Sequence, residues 1–511
     1  MIERPEYLNL HENLRHHVLT RPDKTAVIYE DERYTFRDLY VRAKAIAHQL
    51  QARGIGKGDH VGIYLRNHGA YIPIYYGLSM AGIVAVPLNY MITAGQAESL
   101  LELTQCRFLF TEAEQAPQVA EFDPKGMGAV ESCDVDHDLP QWFAAEPALE
   151  EPDISVRMED PMMILFSSGT TGLPKGILLS HLNRVLYFFS LGMEYGIRYQ
   201  DINLCSTPLY HNAAIFFALN NLYFGATTVI HRKFNLEQTF EDIQKYQVTN
   251  TFLVPTQLHE LIHSDKGKTF DLSSLKVIVS GAAPLATKTK ESILECFPGV
   301  ELHELYGLTE TGLITNLRPQ DQLRKVRCAG QAFLNMEFKV VDERGDAVPV
   351  GEVGEIITRG PTLFDGYYGN PEATQEAWRA GYFHTGDLGR MDEEGFLYIV
   401  DRLKDMILSG GVNIYPKDIE DVIYRLSAVK DVAVIGIPNE KWGEAVHAIV
   451  VLREKATLTE DEVLSTCRDA LAAFQVPKRV EFRDELPRNP SGKLLKRVLR
   501  EAYWQEAEAK V

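Results

Sequence analysis

The sequence predicts an α/β protein of layered parallel sheets and covering helices, followed by a small β-rich subdomain and a separate C-terminal unit. Three observations predict it. Between Thr35 and Pro87 helical and extended patterns alternate, and βαβ alternation implies parallel strands beneath helices. From Glu337 to Thr358 the pattern shortens to brief strands broken at Glu343-Arg344-Gly345-Asp346 and Val350-Gly351-Glu352, which reads as a small barrel. Beyond the charged cluster Asp401-Arg402-Leu403-Lys404-Asp405, a glycine-rich turn (Ser409 to Pro416) opens a unit of about 100 residues with helices and strands of its own.

Taken in order, Thr35-Phe36-Arg37-Asp38 reads as a capping box, with a hydroxyl at the cap and a carboxylate where it can reach back. Phe36, Leu39, Ala43, Ile46, Ala47 and Leu50 then keep helical spacing, and Gly54 ends the helix. A strand at His60 to Leu65, a helix at Ala70 to Met80 and a strand at Ile83 to Pro87 follow. Residues 113–160 are rich in Asp, Glu and Pro and read as a surface connection. The apolar run Met162 to Phe166 is a buried strand, Leu182 to Tyr195 a helix, and Pro208 to Ile230 an apolar helix running into a β-branched strand. Thr251 to Val254 and Leu275 to Ser280 are two more strands. In the C-terminal unit the pattern gives a helix (Pro416 to Leu426), strands (Val432 to Ile437 and Val446 to Leu452) and a helix (Glu460 to Ala473).

Composition excludes several classes. The chain has 511 residues, 45% hydrophobic and 24% charged, values of an ordinary globular protein. A net charge of −19 argues against nucleic-acid binding, and requires local positive charge wherever an anionic substrate docks. No apolar run approaches the ~20 residues of a membrane span, and the charged N-terminal stretch lacks the apolar core of a secretory signal. Six scattered cysteines without a C-x-x-C pair indicate free buried thiols in a reducing cytoplasm.

The chemistry concentrates first at Phe166 to Gly176. Gly169, Gly172 and Gly176 let backbone N–H groups turn inward; Ser167, Ser168, Thr170 and Thr171 add hydroxyl donors, and Lys175 a mobile cation. This suits a polyphosphate, yet Pro174 and Gly176 stand where the Walker pattern would need other residues. A second stretch, Glu304-Leu305-Tyr306-Gly307-Leu308-Thr309-Glu310-Thr311-Gly312, offers a ring for a purine to stack on, then a hydroxyl and a carboxylate suited to a phosphate oxygen and a hard cation. Asp387, between Gly386 and Gly389, is suited to accept both ribose hydroxyl protons. Gly281-Ala282-Ala283-Pro284 is small enough for a ligand to lie on backbone, although a tight turn without ligand fits equally. His211, before its apolar helix, is equally readable as a satisfied structural residue.

The loop Phe166–Gly176 resembles the signature of the adenylate-forming enzymes: acyl- and aryl-CoA ligases, firefly luciferase and the adenylation domains of peptide synthetases. Tyr306–Glu310, the segment Tyr382–Gly389, the cluster after Asp401 and Pro490-Ser491-Gly492-Lys493 extend the resemblance over nearly the whole chain. It implies a large N-terminal domain, residues 1–402, of two βα-layered subdomains and a β-barrel-like one. A small mobile α+β C-terminal domain, residues 403–511, would turn on a hinge at Lys404. It implies ATP contacts from the loop (Ser167, Ser168, Gly169, Thr170, Thr171, Gly172, Lys175) and from Gly281, Ala282, Ala283, Glu304, Tyr306, Gly307, Thr309, Asp387, Arg402 and Lys493. Tyr306 would stack on adenine, Thr309 touch the α-phosphate, Glu310 hold Mg²⁺, and Lys493 bridge the carboxylate and α-phosphate. His211, Phe216, Gly281, Ala282 and Gly307 would border the acyl group, with His211 as its gate. Gly410, Gly411 and Trp442 would line the pantetheine tunnel of CoA, and Lys478 lie near its nucleotide. At Val476 the sequence departs from the arginine of several CoA ligases.

The implied reaction joins a carboxylic acid to ATP, giving an acyl-adenylate and pyrophosphate, and then passes the acyl group to CoA. No protein nucleophile is needed, in keeping with a chain that shows no Ser-His-Asp or Cys-His constellation. Asn212 to Phe217 carries no acid to pair with an amino-acid ammonium, and none of the four tryptophans falls in a pocket segment to shorten it. A medium- or long-chain fatty acid is therefore the first expectation and an aryl acid the second. Transfer to a carrier-protein thiol, an amine or oxygen, or a non-catalytic nucleotide binder, are the alternatives. The expected partners are small molecules (the acid, ATP, Mg²⁺ and CoA), with room for a homodimer.

Overall fold

The computed structural model describes residues 8–115, 119, 122, 130–144, 154–167, 174–410, 412–439, 441–488 and 494–508. They divide into two compact units. One runs to Phe338 and takes in Thr358–Tyr382; the other joins Lys339–Ile357 to the residues from Phe383 onward.

The first unit holds two mixed sheets. Its larger one has, among the described residues, nine strands in the order Glu32–Thr35, Thr25–Tyr29, Thr227–Ile230, Ile202–Cys205, Asn250–Leu253, Val277–Ser280, Glu301–Leu308, Gly312–Leu317, Gln331–Ala332. The run from Thr25–Tyr29 to Glu301–Leu308 is parallel throughout. Strands such as Thr227–Ile230 and Val277–Ser280 are buried at every position, as parallel strands covered on both faces must be. Helices Leu236–Tyr246, Pro255–Ile262 and Thr287–Cys296 close one face through Phe240, Ile243, Leu258 and Ile293, packed with Leu204, Ile278 and Leu302. The second sheet runs Gly366–Tyr367, Lys175–Ser180, Pro161–Ser167, Val84–Pro87, His60–Tyr64, Cys106–Thr111, Glu131–Asp134.

The helix predicted after Thr35 is Phe36–Ala52, and its capping box forms as expected. The Asp38 amide donates to Thr35 Oγ1 at 3.1 Å, and the Thr35 amide to Asp38 Oδ2 at 2.9 Å. All six residues of the predicted apolar stripe are buried. The stretch 113–160 differs from its surface reading. Glu131–Asp134 is a parallel edge strand beside Cys106–Thr111, and Leu139–Ala144 is a helix. Trp142 anchors that helix against Phe108 and Phe110, so one large apolar side chain outweighs the acidic composition around it.

Strands Tyr382–Met391 and Leu397–Arg402 pair antiparallel, with Asp387 opposite Arg402, in a small sheet with Gly354–Arg359 and Glu337–Val341, most of whose residues belong to the second unit. A further sheet (Val412–Ile414, Ile407–Ser409, Gly443–Leu452, Val429–Asn439, with Arg479–Phe482 on Gly443–Leu452) carries helices Pro416–Ile423, Glu460–Ala470 and Lys496–Glu508. This α+β unit has its own core of Ile407, Ile414, Ile419, Val434, Ala448 and Val463. The six cysteines are free thiols, all buried except Cys296. Among the described residues no helix is long and apolar enough to cross a membrane.

Candidate active site

Parallel topology places several of the first unit's candidate residues after the carboxyl ends of strands that run in one direction. Strands Ile202–Cys205, Asn250–Leu253, Val277–Ser280 and Glu301–Leu308 share a direction, and in open α/β sheets ligands bind beyond the carboxyl ends of such strands. His211 follows the first of these strands, Gly281–Ala283 the third, and Tyr306 to Glu310 end the fourth.

Strand Glu301–Leu308 returns as Gly312–Leu317 through a hairpin with Thr309, Glu310 and Thr311 at its tip. Two close approaches fix that tip. A Cβ on Gly307 would stand 1.9 Å from Gly312 O, so only glycine lets the strands cross there. Thr311 Oγ1 accepts from the Leu308 amide at 3.0 Å. Strand Lys175–Ser180 begins opposite Ser167 and pairs on its other side with Gly366–Tyr367. Lys175 Nζ thereby lies 4.5 Å from the Tyr367 ring centroid, and the Tyr367 hydroxyl donates to Glu310 Oε1 at 3.1 Å. Burial, with the neighbouring carboxylate, holds the Tyr367 phenol well above its ordinary pKa, so it remains a donor. The loop's cation and the hairpin's carboxylate thus meet on either side of one tyrosine. Sequence reasoning missed Tyr367; in Gly366-Tyr367-Tyr368-Gly369 nothing in the spacing marks it, and only strand pairing brings it to Glu310.

The other residues behave individually. Ala282 adopts a left-handed φ of 69°, and a Cβ on Gly281 would meet Leu305 Cδ1 at 2.4 Å. Ala282 and Ala283 are exposed. Glu304 is buried, its carboxylate on Lys290 and on the Leu285 amide at 2.8 Å, so here it secures the Gly281–Leu285 turn. Burial raises its pKa against the pull of Lys290. His211 stands at the N-cap position of helix Asn212–Tyr223 without a side-chain cap bond among the described residues, and lies against Tyr210 at 4.3 Å between ring centroids; burial lowers its pKa to about 4, leaving a neutral imidazole. Asn67, also missed, holds that loop: its Oδ1 accepts from the Leu209 amide at 2.7 Å and its Nδ2 donates to Thr207 O at 2.9 Å. Phe216 is fully buried against Tyr187 and Phe188, as core packing.

In the second unit Asp387 is buried and pairs with Arg402 at 2.8 Å. Lys404 lies in the turn Leu403–Asp405 and is exposed; its carbonyl accepts from Arg500 Nη1 at 2.8 Å, and partial desolvation of its ammonium lowers its pKa. Gly410 (φ 60°) donates its amide to Trp442 O at 2.7 Å, and a Cβ there would stand 2.7 Å from Trp442 Cε3, so these two expected CoA residues are neighbours. Lys478 is exposed, while Val476 is buried in the apolar core, where an arginine could not sit uncompensated. Ser168, Gly169, Thr170, Thr171, Gly172, Gly411 and Lys493 lie outside the described residues, and Ser167 is described only by its backbone.

Among the described residues no three His, Cys, Asp or Glu side chains cluster as a metal cage. A magnesium ion held by one carboxylate and by substrate phosphates would need none, and Glu310 carries a hard carboxylate oxygen that fits such an ion.

The family model of the AMP-binding enzyme matches residues 14–368, and that of the AMP-binding enzyme C-terminal domain matches residues 418–493. Feruloyl-CoA synthase from an Amycolatopsis species is 34% identical over 94% of this chain and 96% of its own length. Long-chain-fatty-acid–CoA ligase FadD13 from Mycobacterium tuberculosis is 33% identical over 93% of this chain and 94% of its own. The structure of o-succinylbenzoate CoA synthetase (MenE) from Bacillus subtilis with ATP and magnesium superposes with a TM-score of 0.86 at 30% identity, covering 95% of this chain and 98% of that one. The chain belongs to the AMP-binding enzymes, the adenylate-forming superfamily, and is an AMP-forming acid–thiol ligase.

Proposed function

We propose that the enzyme activates a medium- or long-chain fatty acid with ATP and transfers the acyl group to CoA. The observation that carries the reading is the convergence of Lys175, Tyr367 and Glu310 at the sheet edge that also bears His211 and Gly281–Ala283. Two anions, a carboxylate and ATP, must meet in a protein of net charge −19, so local cations are indispensable. Lys175 and the loop amides would take the departing β- and γ-phosphates. Tyr367 would keep the Glu310 carboxylate turned toward the nucleotide, where bound Mg²⁺ would spread the charge of the triphosphate. Tyr306 would stack on adenine, Thr309 would donate to the α-phosphate, and Asp387, steadied by Arg402, would accept from the ribose hydroxyls. Lys493 would bridge the carboxylate and the α-phosphate during in-line attack. Losing such a donor costs roughly 10²–10³ in rate.

A swivel near Lys404 would then exchange Lys493 for the face of Gly410, Gly411 and Trp442, along which the CoA thiol would reach the acyl-adenylate. Neutral His211 would gate the acyl group at the mouth of a pocket walled by helix Asn212–Tyr223. From Ala214 onward that helix is buried and, apart from Asn220, Asn221 and the Tyr223 hydroxyl, apolar, in keeping with a hydrocarbon substrate. An aryl acid is the second reading, favoured by the stacked rings of Phe217 and Phe252, 5.3 Å apart, and by the identity to feruloyl-CoA synthase. Buried thiols, with Cys106 and Cys205 each pushed up to about 12 by burial, suit a reducing cytoplasm.

Pyrophosphate release measured across straight-chain and aromatic acids, with and without CoA, tests the substrate reading. The result expected is highest kcat/KM for a fatty acid, with AMP and acyl-CoA formed in equal amounts. Preference for an aryl acid selects the second reading, and AMP without thioester refutes CoA as acceptor. Lys493→Ala should abolish acid-dependent ATP–pyrophosphate exchange while sparing conversion of supplied acyl-AMP with CoA; equal loss of both refutes its assigned role.

A further inference from the structure

Arg184 is an arginine with no exposed surface, on the buried side of helix His181–Glu194. Its Nε donates to Asn183 Oδ1 at 2.8 Å and its NH2 to the carbonyl of Thr362. The guanidinium carbon lies 5.1 Å from the Tyr187 ring centroid and 4.9 Å from that of Phe216, and among the described residues its Nη1 has no hydrogen-bond partner. Its charge is answered at one remove: Asn183 Nδ2 donates to Asp365 Oδ2 at 2.9 Å, and that oxygen also accepts from the Ser180 amide at 2.8 Å. Burial lowers its pKa to about 10, which still leaves it charged at neutral pH. This is a costly way to fill a core, since a well-packed apolar side chain of similar volume is often as stable or more so.

What the cation holds is the segment running beside the hairpin tip. Thr362 Oγ1 donates to Thr311 O at 2.8 Å, the Phe364 amide donates to Glu310 O at 2.7 Å, and Tyr367 reaches the Glu310 carboxylate. The segment is in van der Waals reach of the tip: a Cβ on Gly312 would lie 3.4 Å from both Thr362 Oγ1 and Tyr187 Cε2. Residues 362–367 therefore clip Glu310 and Thr311 at three points, and Arg184 fastens the clip from beneath through a backbone carbonyl. A helix side chain that touches no proposed substrate is thus two hydrogen bonds from the Thr309–Thr311 tip.

We infer that Arg184 is a positioning residue for the Glu310 carboxylate, acting through Thr362 to set the geometry in which the nucleotide's magnesium is received. The inference rests on the reading of Glu310 proposed above. It separates ATP binding in the presence of Mg²⁺ from everything the site does without the ion. A side chain needed only for folding would weaken all of these together.

The test uses the full chain and three variants, Arg184→Lys, Arg184→Met and Thr362→Val. Calorimetry gives ATP affinity with and without Mg²⁺, a thermal melt reports folding, and conversion of supplied acyl-AMP with CoA reports the magnesium-independent half-reaction. Arg184→Lys and Thr362→Val should each lower the affinity gained from Mg²⁺ by roughly two- to tenfold, the range for one lost positioning hydrogen bond. ATP binding without Mg²⁺ and the acyl-AMP reaction should stay within about twofold of wild type. Arg184→Met combined with Thr362→Val should be no worse than Arg184→Met alone, because both cut one chain of contacts. Should Arg184→Met not fold, Thr362→Val alone still decides, since it keeps the cation and removes the link. An unchanged magnesium increment in folded variants, or parallel loss of all three activities, overturns the inference alone. Absence of any magnesium increment in the wild type overturns the reading of Glu310 and this inference with it.

Discussion

Gly307→Ala puts the hairpin to its severest test. The added Cβ would stand 1.9 Å from Gly312 O, against the 3.0 Å below which real Cβ contacts essentially never fall, so the carbonyl must retreat by about 1.1 Å. It cannot do so cheaply: Gly312 pairs with Leu308, and the next two atoms met, Gly312 C at 2.9 Å and Leu313 Cα at 3.0 Å, are also backbone. A displacement near 1 Å at the base of the tip moves Thr309 and Glu310 with it. Misplacement on that scale costs about 10²-fold in rate, and the overpacking itself roughly 1–3 kcal/mol of stability. The assay is acid-dependent ATP–pyrophosphate exchange on protein whose melt confirms that it is folded. Gly95→Ala, in helix Ala94–Thr104, where among the described residues nothing beyond the helix's own backbone lies within 4 Å of the new Cβ, is the control. Exchange within threefold of wild type in a folded Gly307→Ala protein would refute the claim that the tip's exact position sets activity.

Gly410→Ala should lower conversion of supplied acyl-AMP with CoA by roughly tenfold and leave pyrophosphate exchange near wild type, because its Cβ would press on Trp442; equal thioester formation counts against that face. Stability should fall as pH drops below neutrality. Burial lowers the folded pKa of His11 to about 3 and of His17, His181, His211 and His303 to about 4. The unfolded chain therefore binds more protons between pH ~6.5 and 4, each histidine removing about 1.4 kcal/mol per pH unit; urea unfolding that gives equal stability at pH 7 and pH 5 would contradict this. Lys496→Met strands the buried Glu420 carboxylate, now paired at 2.8 Å, and should cost about 3–5 kcal/mol in urea unfolding. Adding Glu420→Leu should restore most of it, and a double variant as unstable as the single one would show that the pair is not what matters.

Much of this was legible in the chain because it depends on local rules. The capping box at Thr35 and Asp38 and the apolar stripe behind it are set by residues three and four apart, and both form. The parallel strands are marked by short apolar runs such as Val277–Ser280. Gly307 stood out by its place in the motif, yet its reason, the crossing of Gly312 O, depends on the partner strand. What escaped is what register alone creates. Tyr367 is 57 residues from Glu310, Asn67 is 142 from Leu209, and Arg184 is 178 from Thr362. Nothing periodic links such residues. Glu304 was expected at the nucleotide, but local sequence could not show that Lys290 and the Leu285 amide hold it, nor that Val476 belongs to a core. The acidic stretch 113–160 misled because composition averages over a segment in which a single side chain, Trp142, packs a helix against Phe108 and Phe110.

The most direct measurement is AMP and pyrophosphate formation by the purified chain from ATP and Mg²⁺ across a panel of organic acids, followed by addition of CoA. Acid-dependent pyrophosphate release, a trapped acyl-AMP without CoA, and stoichiometric AMP and acyl-CoA once CoA is added are the results expected. ATP left unchanged with every acid, or cleaved to ADP, would contradict the account.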